Sequence, residues 1–382
     1  HIGSSSNCHF VWRRELALTD CPRSSAMVTS TDVVLAWPHG EVTVQRRGAM
    51  MSSKFRVDGD RIVEPMQVSR TSSGMVFFRG EWPCLPFGRA RDVPGLCPDW
   101  LPCRDALLRG DREEGPQHGA ATGSEWELLD DGASSGSVKL SIDLAEGPIA
   151  KMTRTMAPDP HGPAVDLTLE VLPRADCRLC IGLHPTLALP KAPGASRIVP
   201  LAQPQYIASF PGHVEDDGER ATYDFEVSPG QRFDSLDAVP ALVGGDSRGL
   251  LDLSRLPRQG RSENLLQLCG VRPDRPDGTT GVSLHNFELG CTTTVRWHPK
   301  DFPSCQLWMS NRGRSYKPWR GAHVALGVEP VCGCWDMGPT VGAGDNPIAA
   351  SGVPTAVDFA AGRPWTAKYR IECEALRAGS RL

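Results

Sequence analysis

Short segments that alternate polar and apolar residues, separated by turn-forming residues, constrain the fold of this chain most. A period of two is typical of a strand with one buried face. The chain also holds 39 glycines and 33 prolines, which leave little room for long helices and favour turns. This combination predicts an all-β sandwich or barrel. Alternating segments occur at Glu41–Gln45, Ser137–Asp143, Ala164–Leu172, Thr292–Trp297, Ser304–Met309 and His323–Glu329.

Few segments favour a helix or a separate domain. Leu250–Leu256 is a candidate for one short helix, and residues 258–280 are interpreted as a polar loop around the apolar run Leu265–Leu268. No repeat of about 20–50 residues is evident, which argues against a solenoid or propeller. We interpret residues 27–382 as a single domain. Residues 1–26 are polar and irregular, and we interpret them as an N-terminal extension that is either non-native or disordered.

Composition excludes several classes of function. Hydrophobic residues make up 40% and charged residues 23% of the chain, an ordinary globular balance. The net charge is −4 with arginines scattered throughout, so a nucleic-acid partner is not predicted. No apolar run approaches the roughly 20 residues that cross a bilayer, and no signal-peptide core is present. The 13 cysteines are an odd number without regular spacing, which favours reduced, buried thiols and a cytoplasmic protein.

A histidine at the end of a predicted strand is the first candidate for chemistry. In Cys180–Pro190, His184 precedes a proline that biases it toward an extended backbone. An imidazole at a strand mouth is able to donate a proton near neutral pH. A histidine that only hydrogen-bonds its own turn explains the same pattern, and the residues alone leave both interpretations open.

A carboxylate ends another apolar strand. Alternation places Ala325, Gly327 and Glu329 on one face of that strand. The two small residues leave space in front of Glu329, as a ligand requires, and a desolvated carboxylate there is suited to act as a base. The alternative is a glutamate that points into water.

Two earlier segments offer further candidates. Residues 117–127 contain His118, followed by Gly119 and later by Trp126. Residues 78–88 contain Arg79, whose planar cation suits sugar hydroxyls or acidic groups, although an exposed loop arginine is the ordinary interpretation.

Taken in order, these segments resemble the aldose 1-epimerase family of the galactose mutarotase-like superfamily, the bacterial aldose and hexose-6-phosphate epimerases above all. The likeness spans roughly residues 36–375 and is weakest between 190 and 280. It implies a large twisted antiparallel β-sandwich, or supersandwich, with an open face for a small-molecule sugar. The motifs that carry it are RGEWPCLPFG at 79–88, His118-Gly119 with Trp126, His184-Pro185-Thr186, FPSCQLW at 302–308, and Glu329-Pro330.

The resemblance also implies an activity: interconversion of the α and β anomers of a sugar. Glu329 takes the proton of the anomeric hydroxyl while His184 protonates the ring oxygen, and the roles reverse after rotation about C1–C2. Neither a metal nor another cofactor is implied.

Further residues acquire substrate-binding roles by the same resemblance. Arg79 and His118 are expected to hold hydroxyls or the ring oxygen. Gln306 and Trp308 lie on the strand before Glu329, and Trp308 is either an apolar platform for the sugar or a core residue.

The sequence departs from the family in three places. Thr186 stands where an aromatic residue is common. The aspartate that grips the sugar in galactose-type members is not identifiable among Asp246, Asp252 and Asp274. The loop over residues 310–320 is long and basic, and it either attracts a phosphorylated or acidic sugar or is simply solvated. Its cations are Arg312, Arg314, Lys317 and Arg320.

Other interpretations are weaker. Cys177 and Cys180 point to opposite faces of a continuous strand, which disfavours a zinc site. A carbohydrate-binding protein without activity would not need a matched acid and base. A lyase or hydrolase would need a tyrosine base, for which Tyr316 is the candidate, or a second carboxylate. The sugar and the oligomeric state are not determined by the sequence.

Overall fold

The strands follow the period-two segments of the sequence. The computed structural model describes residues 32–70, 76–214, 226–243 and 246–376. The first strands are β1 (Val33–Trp37), β2 (Gly40–Gln45), β3 (Met50–Val57), β4 (Arg61–Val63), β5 (Val68–Arg70), β6 (Val76–Arg79) and β7 (Pro83–Cys84). The helices that follow are a 3₁₀ segment (Pro98–Cys103), α1 (Arg104–Glu113) and α2 (Ala120–Gly123).

The long middle part of the described chain is built of strands. They are β8 (Glu127–Asp131), β9 (Val138–Asp143), β10 (Ile149–Pro158), β11 (Ala164–Pro173), β12 (Cys177–Leu179), β13 (Ile181–Leu183), β14 (Thr186–Ala188), β15 (Ser196–Pro200), β16 (Tyr206–Ser209), β17 (Arg232–Phe233), β18 (Val239–Val243), β19 (Asp246–Leu251), β20 (Arg255–Leu256), β21 (Ser262–Cys269), β22 (Thr280–Asn286), β23 (Cys291–Trp297), β24 (Ser304–Asn311) and β25 (Val324–Cys332). The chain continues through α3 (Gly338–Gly342), a 3₁₀ turn (Ala349–Ser351), β26 (Val357–Phe359) and β27 (Trp365–Ala375).

Two large antiparallel sheets dominate the described residues. The nine-stranded sheet has the order β20-β15-β22-β23-β27-β11-β10-β9-β8. The eight-stranded sheet has the order β17-β16-β21-β24-β25-β13-β7, and β14 also pairs with β25. Strands β1–β4 form a smaller sheet, and three two-stranded sheets complete the set. The predicted all-β antiparallel sandwich is confirmed.

The main core lies between the two large sheets. Leu307 on β24 and Leu326 and Val328 on β25 share one hydrophobic cluster with Leu167 on β11 and Ile371 on β27. The period of two turns every second residue of β24 and β25 to the opposite face. That second face of the eight-stranded sheet holds the candidate site.

Two expectations about residues 250–280 are wrong. Leu250–Leu256 is not a helix, because its residues end β19 and form β20, which pairs with β15. The supposed loop contains Ser262–Cys269, a buried strand between β16 and β24. Leu266 and Leu268 face the core, while the residues between them face the other side, so neither face is open to water.

The described residues, from Asp32 onward, form one compact unit. The boundary expected at residue 27 and the extension over residues 1–26 lie outside the described residues and stay predictions. Among the described residues, none of the helices has both the length and the apolar character that crossing a membrane requires.

Candidate active site

A cavity of about 320 Å³ opens on the outer face of the eight-stranded sheet. We call it the first cavity. Its polar lining residues are Arg91, Gln117, His118, His184, Gln306, Arg314, Glu329 and Asp336. Its aromatic lining residues besides the histidines are Phe78, Trp308, Tyr316 and Trp319. The size and the mixture of aromatic and convergent polar groups are typical of a small-molecule site.

Glu329 reaches this cavity from the middle of β25. The register places Gln306 on β24 directly opposite Glu329. The Gln306 side-chain amide donates to Oε2 of Glu329 over 2.6 Å. Glu329 has no exposed surface, so its carboxylate depends on protein partners rather than on bulk water.

His184 follows β13 and meets Glu329. Its imidazole stacks on the indole of Trp82, with 4.2 Å between ring centroids and 18° between planes. Nδ1 lies 3.2 Å from the hydroxyl of Thr186. Nε2 lies 3.4 Å from Oε1 of Glu329. The turn therefore fixes one ring nitrogen and aims the other at the carboxylate. His184 does hydrogen-bond its own turn, and its role as a proton donor stays a prediction.

Burial opposes charge on both members of the His184–Glu329 pair. Desolvation raises the pKa of Glu329 well above its ordinary value, the charge of Asp336 adds to this, and the Gln306 hydrogen bond and Arg314 oppose it. Desolvation lowers the pKa of His184 well below its ordinary value, and His118 lowers it further. Burial therefore favours the form of the free site in which Glu329 holds the proton of the pair beside a neutral imidazole.

His118 lies beside the pair in a neutral form. Its backbone has a positive φ of 61°, and Gly119 follows. Nδ1 accepts a hydrogen bond from the backbone N–H of Gly88 over 3.1 Å, while desolvation lowers the pKa of His118 to about 4. A neutral imidazole whose Nδ1 accepts must carry its proton on Nε2. His118 is thus a donor, with its ring 5.2 Å from that of His184.

An aspartate after β25 supplies a second carboxylate. Oδ2 of Asp336 accepts from Arg91 over 3.1 Å and from Gln117 over 3.3 Å. Oδ1 is buried and has no hydrogen-bond partner among the described residues. Burial acts to raise the pKa of Asp336, but Arg91 and His118 outweigh it, and the pKa is lowered. Asp336 is therefore an ionised acceptor with one oxygen available to a ligand.

Trp308 forms part of the cavity wall and is held by polar groups. Its indole N–H donates to the buried carboxylate of Glu263 over 3.2 Å. The guanidinium of Arg314 lies 4.8 Å from its ring centroid, and His323 stacks on it at 5.2 Å. Because protein groups already cover much of this ring, its contribution to a sugar is a wall rather than an open platform.

Comparisons with solved structures agree with this architecture. A galactose mutarotase-like protein from Lactobacillus casei has a TM-score of 0.52 and 14% identity, over 90% of this chain and 100% of its own. A galactose mutarotase related enzyme from Lactobacillus acidophilus has a TM-score of 0.52 and 13% identity, over 92% and 100%. The GalM/aldose epimerase homologue from C. elegans has a TM-score of 0.53 and 13% identity, over 91% and 100%. The fold is galactose mutarotase-like.

The sequence itself gives no comparable match. No family model matches the chain, and the search of curated proteins finds no match either. At 13–14% identity, the structural likeness establishes the mutarotase-like fold, which the sequence resemblance predicted. Activity must be argued from the site itself.

Most of the predicted site residues meet in this mutarotase-like sandwich, and one does not. His184, Glu329, His118, Gln306 and Trp308 all line the first cavity. Arg79 does not line it. Its guanidinium pairs with Asp32 over 2.5 Å and lies 3.3 Å from the Ser52 hydroxyl, so the substrate-binding role expected for Arg79 is not retained.

Of the candidates in the basic loop over residues 310–320 and among the aspartates, some line the first cavity and others do not. Arg314 and Tyr316 line the first cavity, whereas Arg312, Lys317 and Arg320 do not. Neither Asp252, which accepts from Ser254, nor Asp274, which pairs with Arg296, lines the first cavity. The side chain of Asp246 lies outside the described residues. The aspartate of the cavity is Asp336, which sequence reasoning missed, together with Arg91 and Gln117.

No group of three His, Cys, Asp or Glu side chains within the described residues is arranged to hold a metal ion. The polar groups of the first cavity offer donors and acceptors for hydroxyls.

Proposed function

We propose that this chain is an aldose 1-epimerase that interconverts the α and β anomers of a sugar by acid–base ring opening. The observation that carries the proposal is the 3.4 Å contact between Nε2 of His184 and Oε1 of Glu329 inside a sugar-sized cavity. The anomeric oxygen O1 and the ring oxygen O5 are bonded to the same carbon. An acid and a base that lie side by side therefore reach both oxygens of one hemiacetal.

Ring opening and ring closure each need two proton transfers, and no covalent intermediate forms. The Glu329 carboxylate takes the proton of the O1 hydroxyl while His184 gives its Nε2 proton to O5. The C1–O5 bond breaks, and its electron pair goes to O5 as C1 becomes an aldehyde. After rotation about C1–C2, His184 takes the proton back from O5, O5 attacks the other face of C1, and Glu329 returns its proton to O1.

This direction requires the pair's proton on His184, whereas burial places it on Glu329 in the free site. Gln306 favours the carboxylate, since it donates to Oε2 of Glu329 over 2.6 Å. A sugar hydroxyl that donates to Oε1 favours the same form. Substrate binding thus completes the set of hydrogen bonds that moves the proton to the imidazole.

The remaining polar groups orient the sugar. The free oxygen Oδ1 of Asp336 accepts from a hydroxyl, and Nε2–H of His118 donates to a sugar oxygen. The cations of the first cavity do not create a strong anion site, because Arg91 pairs with Asp336 at 3.1 Å and Arg314 lies 4.0 Å from Glu263. The cavity by itself therefore favours a neutral aldose ring.

Polarimetry tests this proposal and begins to define the substrate. Freshly dissolved α-glucose, α-galactose and α-glucose 6-phosphate would be followed with and without the protein. We expect at least one sugar to reach anomeric equilibrium faster with the protein. If a folded protein binds a sugar and accelerates none, it is a carbohydrate-binding protein instead.

A second candidate function, glycoside hydrolysis, is favoured by one observation. Glu329 and Asp336 are two carboxyl groups of one cavity whose pKa values are displaced in opposite directions, up for Glu329 and down for Asp336. An acid and an ionised carboxylate are what glycosidases use. Release of nitrophenol from nitrophenyl glycosides measures this activity. The epimerase proposal predicts none, because a glycoside has no free anomeric hydroxyl from which Glu329 takes a proton.

A further inference from the structure

Trp82 is a buried residue that the proposed reaction does not use. It does not line the first cavity, and none of its surface is exposed. Its indole nevertheless lies against the imidazole of His184, with 4.2 Å between ring centroids and 18° between planes. The ring of Phe78 also stacks on this indole, at 4.9 Å and 13°. One of the two rings that Trp82 stacks with is therefore the proposed acid.

The backbone register produces the stack of Trp82 on His184. Strands β7 and β13 pair with Leu183 opposite Pro83. The next backbone N–H, that of His184, donates to the carbonyl of Trp82 over 2.9 Å. Each of these two residues precedes a proline, which biases it toward an extended backbone. Directly opposed residues place their side chains on the same face with Cβ atoms about 4.5–5.5 Å apart, so the indole and the imidazole meet.

The indole acts on the charge of the imidazole. The face of an aromatic ring carries negative charge density and attracts a cation, and among aromatic side chains the indole does so most strongly. A protonated imidazole gains this attraction, whereas a neutral imidazole gains much less. The attraction is larger where water is excluded, and both Trp82 and His184 are buried. The stack therefore favours the protonated form of His184.

The titratable and charged groups around His184 act on the same equilibrium. Burial lowers the pKa of His184, and His118, Arg314 and His323 lower it further, while a backbone hydrogen bond raises it. The carboxylate of Glu329, 3.4 Å from Nε2, favours the imidazolium once the carboxylate has lost its proton. The indole of Trp82 does not titrate, so its attraction is present at every pH. It offsets part of the cost of burying the imidazolium.

We propose that Trp82 is a positioning residue of the anomer-exchange reaction, which holds the imidazole of His184 against its indole face and stabilises the imidazolium that gives its proton to O5. This inference deepens the proposed function, and it rests on that function for the reaction. The protons still pass from the O1 hydroxyl to Glu329 and from His184 to O5. Trp82 itself exchanges neither a proton nor an electron.

The test changes the charge of the indole face and keeps its shape. Because Trp82 is fully buried, a smaller residue would also leave a cavity. Fluorine atoms withdraw electrons from the ring, so each one makes the face less attractive to a cation at little cost in volume. Trp82 would be replaced by mono-, di- and trifluorotryptophan through nonsense suppression, and NMR gives kcat for anomer exchange. We expect kcat to fall stepwise, by about 10-fold across the series.

The same fluorinated series at Trp297 is the matched control. That indole is also fully buried, and its N–H donates to the carbonyl of Phe302 over 2.9 Å. It lies in the main core and does not line the first cavity. We expect kcat to stay constant in this series. A flat series at Trp82, or an equal fall at Trp297, would overturn the inference.

The pH profile supplies a readout that a purely structural role would not move. Below the lowered pKa of His184, the free pair gains a second proton on the imidazole. Fluorination of Trp82 weakens the stabilisation of that imidazolium, so the pKa of His184 falls further. The acid limb of kcat/KM should therefore shift to lower pH along the series. An acid limb that stays in place or moves to higher pH would contradict the role of the indole.

NMR of the imidazole separates this inference from the proposed function. If the wild-type protein accelerates the exchange of no sugar, the epimerase proposal fails. The ¹⁵N chemical shifts of His184 still give the protonated fraction of its imidazole at each pH. A smaller fraction with trifluorotryptophan at position 82 supports the role of the indole, and an equal fraction overturns it.

Discussion

Gly327 leaves the space that the carboxylate of Glu329 occupies. A Cβ atom built at Gly327 would lie 2.2 Å from Oε1 of Glu329 and 3.0 Å from Cβ of Trp308. Gly327 and Glu329 lie on the same face of the sheet because they are two positions apart on β25. The carboxylate folds back over the glycine, and this brings it to Nε2 of His184. The reactive geometry thus depends on the absence of one methyl group.

Gly327→Ala should therefore inactivate the protein without unfolding it. The added methyl group displaces the Glu329 carboxylate, and a misplacement of about 1 Å costs on the order of 100-fold in kcat. Exchange kinetics measure the loss, and thermal unfolding checks the fold. Gly115→Ala is the matched control, since a Cβ there meets nothing within 4 Å. Equal activity in both variants would contradict the role of Gly327.

The two limbs of the pH dependence of kcat/KM should both be displaced from the ordinary pKa values of the groups that titrate. The active free enzyme carries one proton on the His184–Glu329 pair. It gains a second proton only below the lowered pKa of His184 and loses its proton only above the raised pKa of Glu329. The acid limb should therefore lie below the ordinary histidine value of 6.5, and the alkaline limb should lie above the ordinary glutamate value of 4.5. An acid limb at 6.5 or an alkaline limb at 4.5 in a folded protein would contradict this account.

Two substitutions should move the alkaline limb in opposite directions. Burial is the main cause of the raised pKa of Glu329, and the charge of Asp336 raises it further, whereas the Gln306 hydrogen bond lowers it. Asp336→Asn should shift the limb to lower pH, and Gln306→Leu should shift it to higher pH. The pH profiles of kcat/KM measure both shifts. Shifts of the same sign would contradict these opposite effects of Asp336 and Gln306 on Glu329.

A buried ion pair away from the first cavity should make a large contribution to the free energy of unfolding. Arg154 and Glu81 are both 0% exposed. Arg154 contacts the Glu81 carboxylate, and the hydroxyl of Tyr369 lies 2.9 Å from each partner. Arg154→Leu leaves a buried carboxylate without its cation, which costs about 3–5 kcal/mol of the free energy of unfolding.

Urea unfolding measures this cost. Arg154→Leu combined with Glu81→Leu should recover much of it, because no unpaired charge remains. Arg178→Ala in the exposed Arg178–Asp358 pair is the control, with an expected cost of about 0–1 kcal/mol. A cost below about 1 kcal/mol for Arg154→Leu would contradict the view that Arg154 and Glu81 form a buried ion pair that stabilises the fold.

Local periodicity predicted the strands that have one buried face. Residues 138–143 and 164–173 alternate because one side meets the core. Ser262–Cys269 escaped prediction because both of its faces are covered, so Glu263 and Gln267 are buried polar residues in its middle. Helix α1 was not predicted either, because most of it is exposed. It carries many charges, and only Leu107 and Gly110 are buried, so its sequence has no clear apolar face.

The residues of the candidate site were predictable where the neighbouring sequence has a recognisable pattern. In the sequence, His184 and Glu329 each follow an apolar run, and this pattern pointed to them, although Glu329 lies within β25 rather than at its end. The pair Arg91–Asp336 was not predictable, since 245 positions separate its members in the sequence and neither lies in a distinctive pattern. Arg79 looked equally suitable, but only the fold shows that its partner is Asp32 rather than a ligand.

The most direct test of the central claim is anomer exchange measured by NMR at equilibrium. The sugar would be the one that responds fastest in polarimetry, labelled with ¹³C at C1, with wild-type protein, Glu329→Gln, His184→Asn and the double variant. We predict that each single variant loses at least about 100-fold in kcat and that the double variant is little worse, since the two groups act as one unit. Exchange at the wild-type rate in either folded single variant would contradict the account.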